Sequence, residues 1–565
     1  MTESALSKPG SAPVCPSITG RLLRHAETDP DRDAIVTPGS TISYAGLYRN
    51  VQAQAQRFRQ AGVSESSVVG IRCPDDAQHL IYCLAASHIG ATSFALPSHE
   101  SAQLQASIAG QCGATHIAGI DSLEPLSRES RAKSGMADEA RLLFFTSGTT
   151  GQPKIVLHYD SDIVAQAHRH IGSVEERFAC LASIEHNFAK RHRLYCVAAG
   201  ASNVFLDASR ESLVEQCRSV GVNVLHVSAF QAQELLAIPG IGELSDIRLK
   251  LGGSHVPLAL RRQLRAQVTR HLQAGYGTTE TGAIAFTDPD DAEAGESVGR
   301  PLQGIEVRVV SADRKPLQPG ERGELAIRCE GMFRGYLDQP QLTAERLDGG
   351  WFYTGDIGYL DSEQRIHLSG RSDDMFMFNS MNIFPQEIES RICRFPGVRE
   401  ALVIPKSSQV HGNIPVAFVV FEDGVDPDVP ALKAFIREHA GARSPRQVTV
   451  VESLPRSESG KISRREGQSL AAKSRQIRSA LIGVLNADVI ARLKPALIDS
   501  FIEGDTDIVL RGLGLDSYGR MEVMVMLEVE YGVVVTPEQF AGFTSLGRIC
   551  DWVLSAPRED ARPPA

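Results

Sequence analysis

No run of about twenty apolar residues occurs in the 565-residue sequence, so no membrane-spanning helix is expected. The opening MTESALSKPGSAPVCPS also lacks the apolar core of a secretory signal. The ten cysteines form no Cys-x-x-Cys pair and have no clustered histidines beside them, which argues against both a disulfide framework and a zinc site. Positive charge is not in excess: the formal net charge is −10, whereas a nucleic-acid partner held through its phosphates needs a basic surface. No fixed-period repeat is present. Together these absences predict a cytoplasmic protein with no nucleic-acid or membrane partner.

What is present reads as several globular domains, since a chain of this length suggests roughly three or four. From about Ile18 to Phe230, strand-like runs such as DAIVT, VVGIRC, ATSFALP and VNVLHV alternate with segments of helical period such as YAGLYRNVQAQAQRFRQAG. That alternation predicts an α/β fold with parallel sheets and crossover helices. Between Ser297 and Ser369 the short alternating strands of GIEVRVV, GELAIRC and QRIHLSG predict an antiparallel β region. The expected division is a large domain over 1–369, a small α+β domain over 370–467, a linker over 468–479, an all-α domain over 480–556 and a disordered tail over 557–565.

Within LLFFTSGTTGQPKIVLH, residues Thr146, Ser147, Gly148, Thr149, Thr150 and Gly151 offer closely approachable backbone N–H groups and hydroxyl donors, and Lys154 adds a positive charge. Those are the requirements of a polyphosphate cradle. The spacing is not that of a Walker loop, because Pro153 intervenes and Ile155 follows the lysine. Alone, such a run is more often a surface turn. Here it is followed in order by GYGTTETG, YTGDIGYL, GRSDD and LPRSESGKISR.

In that order the motifs resemble the acyl-adenylate-forming superfamily, which includes acyl-CoA synthetases, luciferases and nonribosomal peptide adenylation domains, over about residues 20 to 470. The resemblance implies a large adenylation domain with a β subdomain and a small mobile lid domain. It also implies ATP and Mg²⁺, with the Thr146–Gly151 loop and Lys154 on the β- and γ-phosphates. Tyr276 would stack on adenine, Thr279 would touch the α-phosphate, Glu280 would hold Mg²⁺, and Asp356, helped by Arg371, would accept from the ribose hydroxyls. Lys461 would contact the carboxylate during adenylation, swinging in for that half-reaction about a hinge at Asp373. The sequence departs from the family pattern at Ile155 and at Asn379-Ser380, where Gly is usual.

Near the middle of the acidic C-terminal region, Gly514-Leu515-Asp516-Ser517 precedes a helical pattern in which Met521, Val525 and Leu527 are expected to face a small core, with Glu522 and Glu528 towards water. The stretch resembles the attachment site of acyl or peptidyl carrier domains, implying a four-helix fold with 4′-phosphopantetheine on Ser517 and a phosphopantetheinyl transferase as partner. Tyr518 stands where Leu is usual. A thiol tethered to the same chain would be loaded intramolecularly, at an effective concentration towards the millimolar range.

His186-Asn187-Phe188 is similar to the H-N-[FY] of aryl-acid-activating domains, so Asn187 disfavours a substrate with a free α-ammonium. Carrying the family pocket forward gives Phe188, Arg191, His226, Lys250, Gly252, Gly275, Ala283 and Ile284 as wall candidates. Arg191 and Lys250 either point to solvent or meet a second acidic group on the substrate, because unpaired buried cations are costly. The leading expectation is an ATP-dependent ligase that loads a small carboxylic acid onto its own Ser517, for downstream enzymes of nonribosomal peptide or polyketide synthesis. A free acyl- or aryl-CoA synthetase, an amino-acid-activating protein and an inactive carrier-presenting scaffold are the alternatives.

Overall fold

The computed structural model describes residues 17–98, 100–120, 122–126, 139–146, 154–207, 212–291, 295–378, 381–408, 412–457, 460–485, 487–504 and 506–555. The expectations placed on Ser147, Gly148, Thr149, Thr150, Gly151, Asn379, Ser380 and the 557–565 tail lie outside the described residues. The chain divides into two units, residues 1–368 and 369–565.

In the first unit the alternation of strand and helix builds two large sheets. One has nine strands, with six parallel neighbours (Leu272–Thr278, Arg248–Leu251, Val224–Val227, Arg177–Cys180, Ser202–Val204 and Asp33–Thr37) and antiparallel edges. The other has seven strands, among them the antiparallel pair Arg141–Thr146/Lys154–Tyr159. Helices Asp76–Ile89 and Asn187–Ala199 share a core with both sheets, where Leu84 and Leu194 meet Val69 and Phe144 from one sheet and Phe178 and Val224 from the other. A helix enclosed in this way buries its whole circumference. His79 through Ser87 are therefore all buried, as are Ala189 through Ala198.

The far face of the nine-stranded sheet packs Leu225, Val227, Leu249 and Leu251 against Leu213 and Leu264. Because side chains alternate along a strand, His226 and Lys250 are turned to the inner helices instead. The expected antiparallel region is a five-stranded sheet built from Ile305–Val310, Gly323–Cys329, Leu347–Asp348, Trp351–Leu360 and Ile366–Arg371.

In the second unit another five-stranded sheet includes the long pair Val398–Ser408/Gly412–Phe421 and packs on helices Pro385–Ile392 and Val429–Ala440. The helix Arg464–Gly483 then runs without interruption from this subdomain into the C-terminal bundle. Its first half packs Leu470 and Ala471 on Leu402 and Ile404; its second half gives Ile477 and Leu481 to the bundle core around Phe501, Leu527 and Ile549. In helix Ser517–Tyr531 the buried stripe is Gly519, Val523, Met526 and Leu527. The expectation for Leu527 holds, but Met521 and Val525 are 47% and 50% exposed. Spacings of three and four counted from Val523 select the observed stripe and leave 521 and 525 on another face.

A charged clamp joins bundle and subdomain. Glu503 pairs with Lys406 at 2.8 Å and with Arg475 at 2.7 Å, and Gly504 lies so close to Gln447 that a Cβ there would stand 2.3 Å from its Nε2. Replacing Glu503 with Lys is expected to cost about 1 kcal/mol, since these groups are partly exposed. Amide exchange should quicken over Pro495–Ile502 while the core of Ser517–Tyr531 keeps its protection, a difference read by hydrogen-exchange mass spectrometry.

Candidate active site

The antiparallel pair Arg141–Thr146/Lys154–Tyr159 is braced from the inner helix. Asn187, the first residue of Asn187–Ala199, accepts the Phe145 N–H on its Oδ1 at 3.3 Å and donates its amide to the Phe145 carbonyl. Both ends of the side chain are thus committed to the strand leading to Thr146. Aspartate could accept from the N–H but not donate to the carbonyl.

At the loop's far end Lys154 begins the return strand, its Nζ 5.9 Å from the Tyr336 ring. Strand Gly335–Tyr336 pairs with the same hairpin, with Tyr336 opposite Val156. The Tyr336 hydroxyl donates to Glu280 Oε1 at 2.7 Å, and the Glu280 carbonyl accepts from Phe333 N at 2.8 Å. Tyr336 therefore orients the carboxylate assigned to the metal, a residue that sequence reasoning missed. Ile155, the departure from Gly, is buried with Phe94 and Leu143 on the outer face of the sheet and points away from this group.

Tyr276 and Asp356, expected at adenine and ribose, are joined directly: the Tyr276 hydroxyl donates to Asp356 Oδ2 at 2.6 Å. Gly277 is required between them and Thr279, because a Cβ there would lie 2.5 Å from the Gly282 carbonyl. The turn carrying Thr279 and Glu280 is held from beneath by Arg191, whose guanidinium donates to the carbonyls of Thr278, at 3.2 Å, and Thr279. His158 Nε2 donates to the same Thr279 carbonyl at 2.9 Å. Arg191 is buried, so it neither points to solvent nor lacks partners.

Lys250 is also buried, and its ammonium donates to the His170 carbonyl at 2.6 Å. Phe188, His226 and Gly252 meet as a group: the Phe188 and His226 rings are 3.9 Å apart between centroids, and a Cβ on Gly252 would be 3.1 Å from His226 Nε2. Gly275 gives room to Phe286, whose ring would be 2.6 Å from an added Cβ. Ala283 donates its backbone N–H to His170 Nε2 at 3.0 Å. Ile284 does not line this group; one position along the strand, it faces the opposite side and packs with Tyr276, Ile305 and Leu325.

The second unit carries the remaining expected residues. Arg371 donates to Asp373 Oδ2 at 3.3 Å. The exposed Lys461 sits on a turn closed by Ser457 N–H to the Lys461 carbonyl at 2.8 Å, and Arg456 donates to the Gly460 carbonyl at 2.8 Å. Arg464 anchors that turn from behind, on Glu389 at 2.8 Å and Asp374 at 3.3 Å, and its pKa is raised by these carboxylates despite the opposing effect of burial. Ser517 is exposed at the first position of its helix. The cap is Asp516, which accepts from Gly519 N at 2.7 Å, so capping does not consume the serine hydroxyl.

Burial holds the inner histidines neutral. His192 and His79 are both pushed down to about 3, and His158, His170 and His226 lie well below the usual imidazole value, with desolvation the first cause in each case. A lowered imidazole pKa contributes no penalty above the unfolded value near 6.5. As pH falls below it, the unfolded chain takes up protons that the folded one refuses. Each such histidine then costs about 1.4 kcal/mol per pH unit. Asp160, raised to about 7 by burial, works in the opposite direction but is outnumbered. Urea midpoints are expected to fall steadily from pH 7 to 5, with a shallower fall in His192→Phe.

Residues 22–337 match the AMP-binding enzyme family, 387–461 its C-terminal domain and 497–553 the phosphopantetheine attachment site. The chain is 28% identical over 491 residues to 2-succinylbenzoate–CoA ligase of Geobacillus kaustophilus, covering 80% of this chain and 98% of that protein. It is 28% identical over 477 residues to a feruloyl-CoA synthase of Amycolatopsis sp., covering 78% and 96%. The amide bond synthetase McbA of Marinactinospora thermotolerans shares the fold, with a TM-score of 0.71 at 23% identity over 80% of this chain and 99% of that one. Braced strand pair, tyrosine-held glutamate and uncapped serine thus occur on a chain that belongs to the AMP-binding enzyme family, an AMP-forming acid–thiol ligase with an adenylation domain fused to a phosphopantetheine carrier domain.

Proposed function

We propose that this ligase activates a carboxylic acid lacking a free α-amine and loads it onto the phosphopantetheine thiol of its own Ser517. A carboxylate oxygen bonds to the α-phosphorus of ATP as pyrophosphate leaves; the thiolate sulfur then bonds to the acyl carbon as AMP leaves, so each bond formed replaces one broken. The observation that carries the reading is the exposed, uncapped Ser517 on the same chain as the adenylation fold.

In this reading the loop from Thr146 to Gly151, with Lys154, binds the β- and γ-phosphates, and Thr279 meets the α-phosphate. Tyr276 flanks adenine. Asp356, which already accepts from Tyr276, is suited to the ribose hydroxyls with Arg371 in support. Lys461 supplies positive charge at the carboxylate, and Asp373 is the hinge. Glu280 fits a hard divalent cation, since Tyr336 occupies one of its oxygens with a single hydrogen bond. Mg²⁺ there would neutralise phosphate charge when bound.

The absence of a free α-amine is supported by what Asn187 does, since its amide is used on Phe145 and offers no counter-ion to an ammonium. Release of the loaded acid to downstream biosynthetic enzymes, in nonribosomal peptide or polyketide formation, follows from the carrier. A second reading, release of a free acyl-CoA, is favoured by the activities named for the relatives above.

Intact mass after phosphopantetheinylation and incubation with ATP, Mg²⁺ and a mixture of acids is expected to show one acyl addition, absent from Ser517→Ala. Acyl-CoA formation undiminished in Ser517→Ala, with no acyl addition to the wild-type holo-protein, would establish the second reading instead. Tyr336→Phe is expected to lower ATP–pyrophosphate exchange about tenfold to a hundredfold and to raise the Mg²⁺ concentration needed, as loss of an orienting partner does. A direct Mn²⁺ titration followed by electron paramagnetic resonance should show the same weakening without turnover.

A further inference from the structure

Three histidines from three separate elements meet on the inner face of the nine-stranded sheet. His170 ends helix Asp160–His170, His192 lies in helix Asn187–Ala199, and His226 lies in strand Val224–Val227. Ring centroids are 4.8 Å apart for His170 and His192 and 4.6 Å apart for His192 and His226. All three are at least nine-tenths buried, yet their hydrogen bonding is incomplete. His192 Nδ1 donates to the Phe188 carbonyl at 2.8 Å, which leaves Nε2 as an unpartnered acceptor. His170 Nε2 accepts from Ala283, which leaves Nδ1–H an unpartnered donor, and His226 has a partner at neither nitrogen.

Four such atoms gather on three touching rings, and a group with hydrogen-bond acceptors placed among them would give the donors partners. Simple packing would be served better by phenyl rings, which Phe178 and Phe286 already provide beside them. The charged neighbours acting on the rings are the cations Lys250, Arg169, Arg191 and Arg193. One carboxylate, Glu176, also acts on Lys250; its Oε1 accepts from Arg248 at 2.8 Å and its Oε2 has no partner. Such surroundings disfavour a second cation and favour an anion.

We infer that His170, His192 and His226, together with Lys250, form the far end of the acyl pocket and select an acid that carries a second carboxyl group. The inference rests on the acid-activating function proposed above and adds the substrate class to it. Phe188 is the cover: its ring lies 3.9 Å from His226 and 4.7 Å from His192 between centroids, it is only partly buried, and Gly252 opposite presents no side chain. Rotation of that ring admits the distal carboxyl group. Bound as the carboxylate, it accepts from His170 Nδ1–H, from His226 and from Lys250.

The test is ATP–pyrophosphate exchange by the full-length protein with acids matched except at the distal group: 2-carboxybenzoate against 2-methyl-, 2-hydroxy- and 2-aminobenzoate, and succinate and glutarate against butyrate and valerate. In at least one series the diacid is expected to exceed its neutral and amino partners by about tenfold or more in kcat/KM, mostly through KM. In His226→Phe, His192→Phe and Lys250→Met, each checked for folding by its melting curve, that ratio should collapse towards unity whatever the absolute rates. Equal or greater exchange with the monoacids, or a diacid ratio unchanged in all three variants, overturns the inference and leaves the ligase reading intact. Absence of exchange with every acid overturns both.

Discussion

The large unit depends on one awkward helix. Asn187–Ala199 carries Lys190, Arg191, His192 and Arg193 in succession, and its place between two sheets buries all four. Charges so enclosed need partners, and the ones available are backbone carbonyls at strand ends. Arg193 donates to the carbonyls of Phe178, at 3.2 Å, and Val204, at 2.7 Å, joining adjacent strands. Arg191 takes the carbonyls of Thr278 and Thr279, and Asn187 takes both backbone groups of Phe145. A single rigid rod therefore sets the strand pair Arg141–Thr146/Lys154–Tyr159, the Thr279–Glu280 turn and the sheet edge relative to each other. Catalysis by charge neutralisation needs such fixed spacing, because misplaced groups reorganise during the reaction instead of before it.

This arrangement separates what local pattern can reveal from what it cannot. Alternating strand and helix between Ile18 and Phe230 was legible because periodicity is a local property. The partners of the site residues were not legible. Tyr336 reaches Glu280 across 56 positions of sequence, and a contact between such distant positions leaves no local signal. Nor does the sequence show that the carbonyl oxygens of Thr278 and Thr279 await Arg191. The outward placement of Met521 and Val525 has a similar cause: helix Ser517–Tyr531 has apolar residues on more than one face, and only the packed bundle decides which is interior.

Buried ionisable groups recur throughout the inner layer and give it an uneven character. Asn187 spends both ends of its side chain on the backbone, whereas Lys190 Nζ, Arg191 Nε and nitrogens of His158, His170, His192 and His226 are enclosed without partners. The largest group of them is on the three touching histidines, at the end proposed for the acid. Such a distribution is what a protein with a common reaction and an individual substrate requires, because alignment for adenylation is general and recognition of the acyl group is particular.

In the second unit, the uninterrupted helix Arg464–Gly483 belongs to two cores at once, through Leu470 and Ala471 at one end and Ile477 and Leu481 at the other. A helix advances about 1.5 Å and turns about 100° per residue, so the spacing between those contacts acts as a gear setting. Adding one residue midway would rotate the serine-bearing bundle by about a quarter-turn and more, whereas adding seven would nearly restore its heading while carrying it outward by about 10 Å. Fusion proteins that exchange this carrier for another must therefore match helical phase as well as tether length.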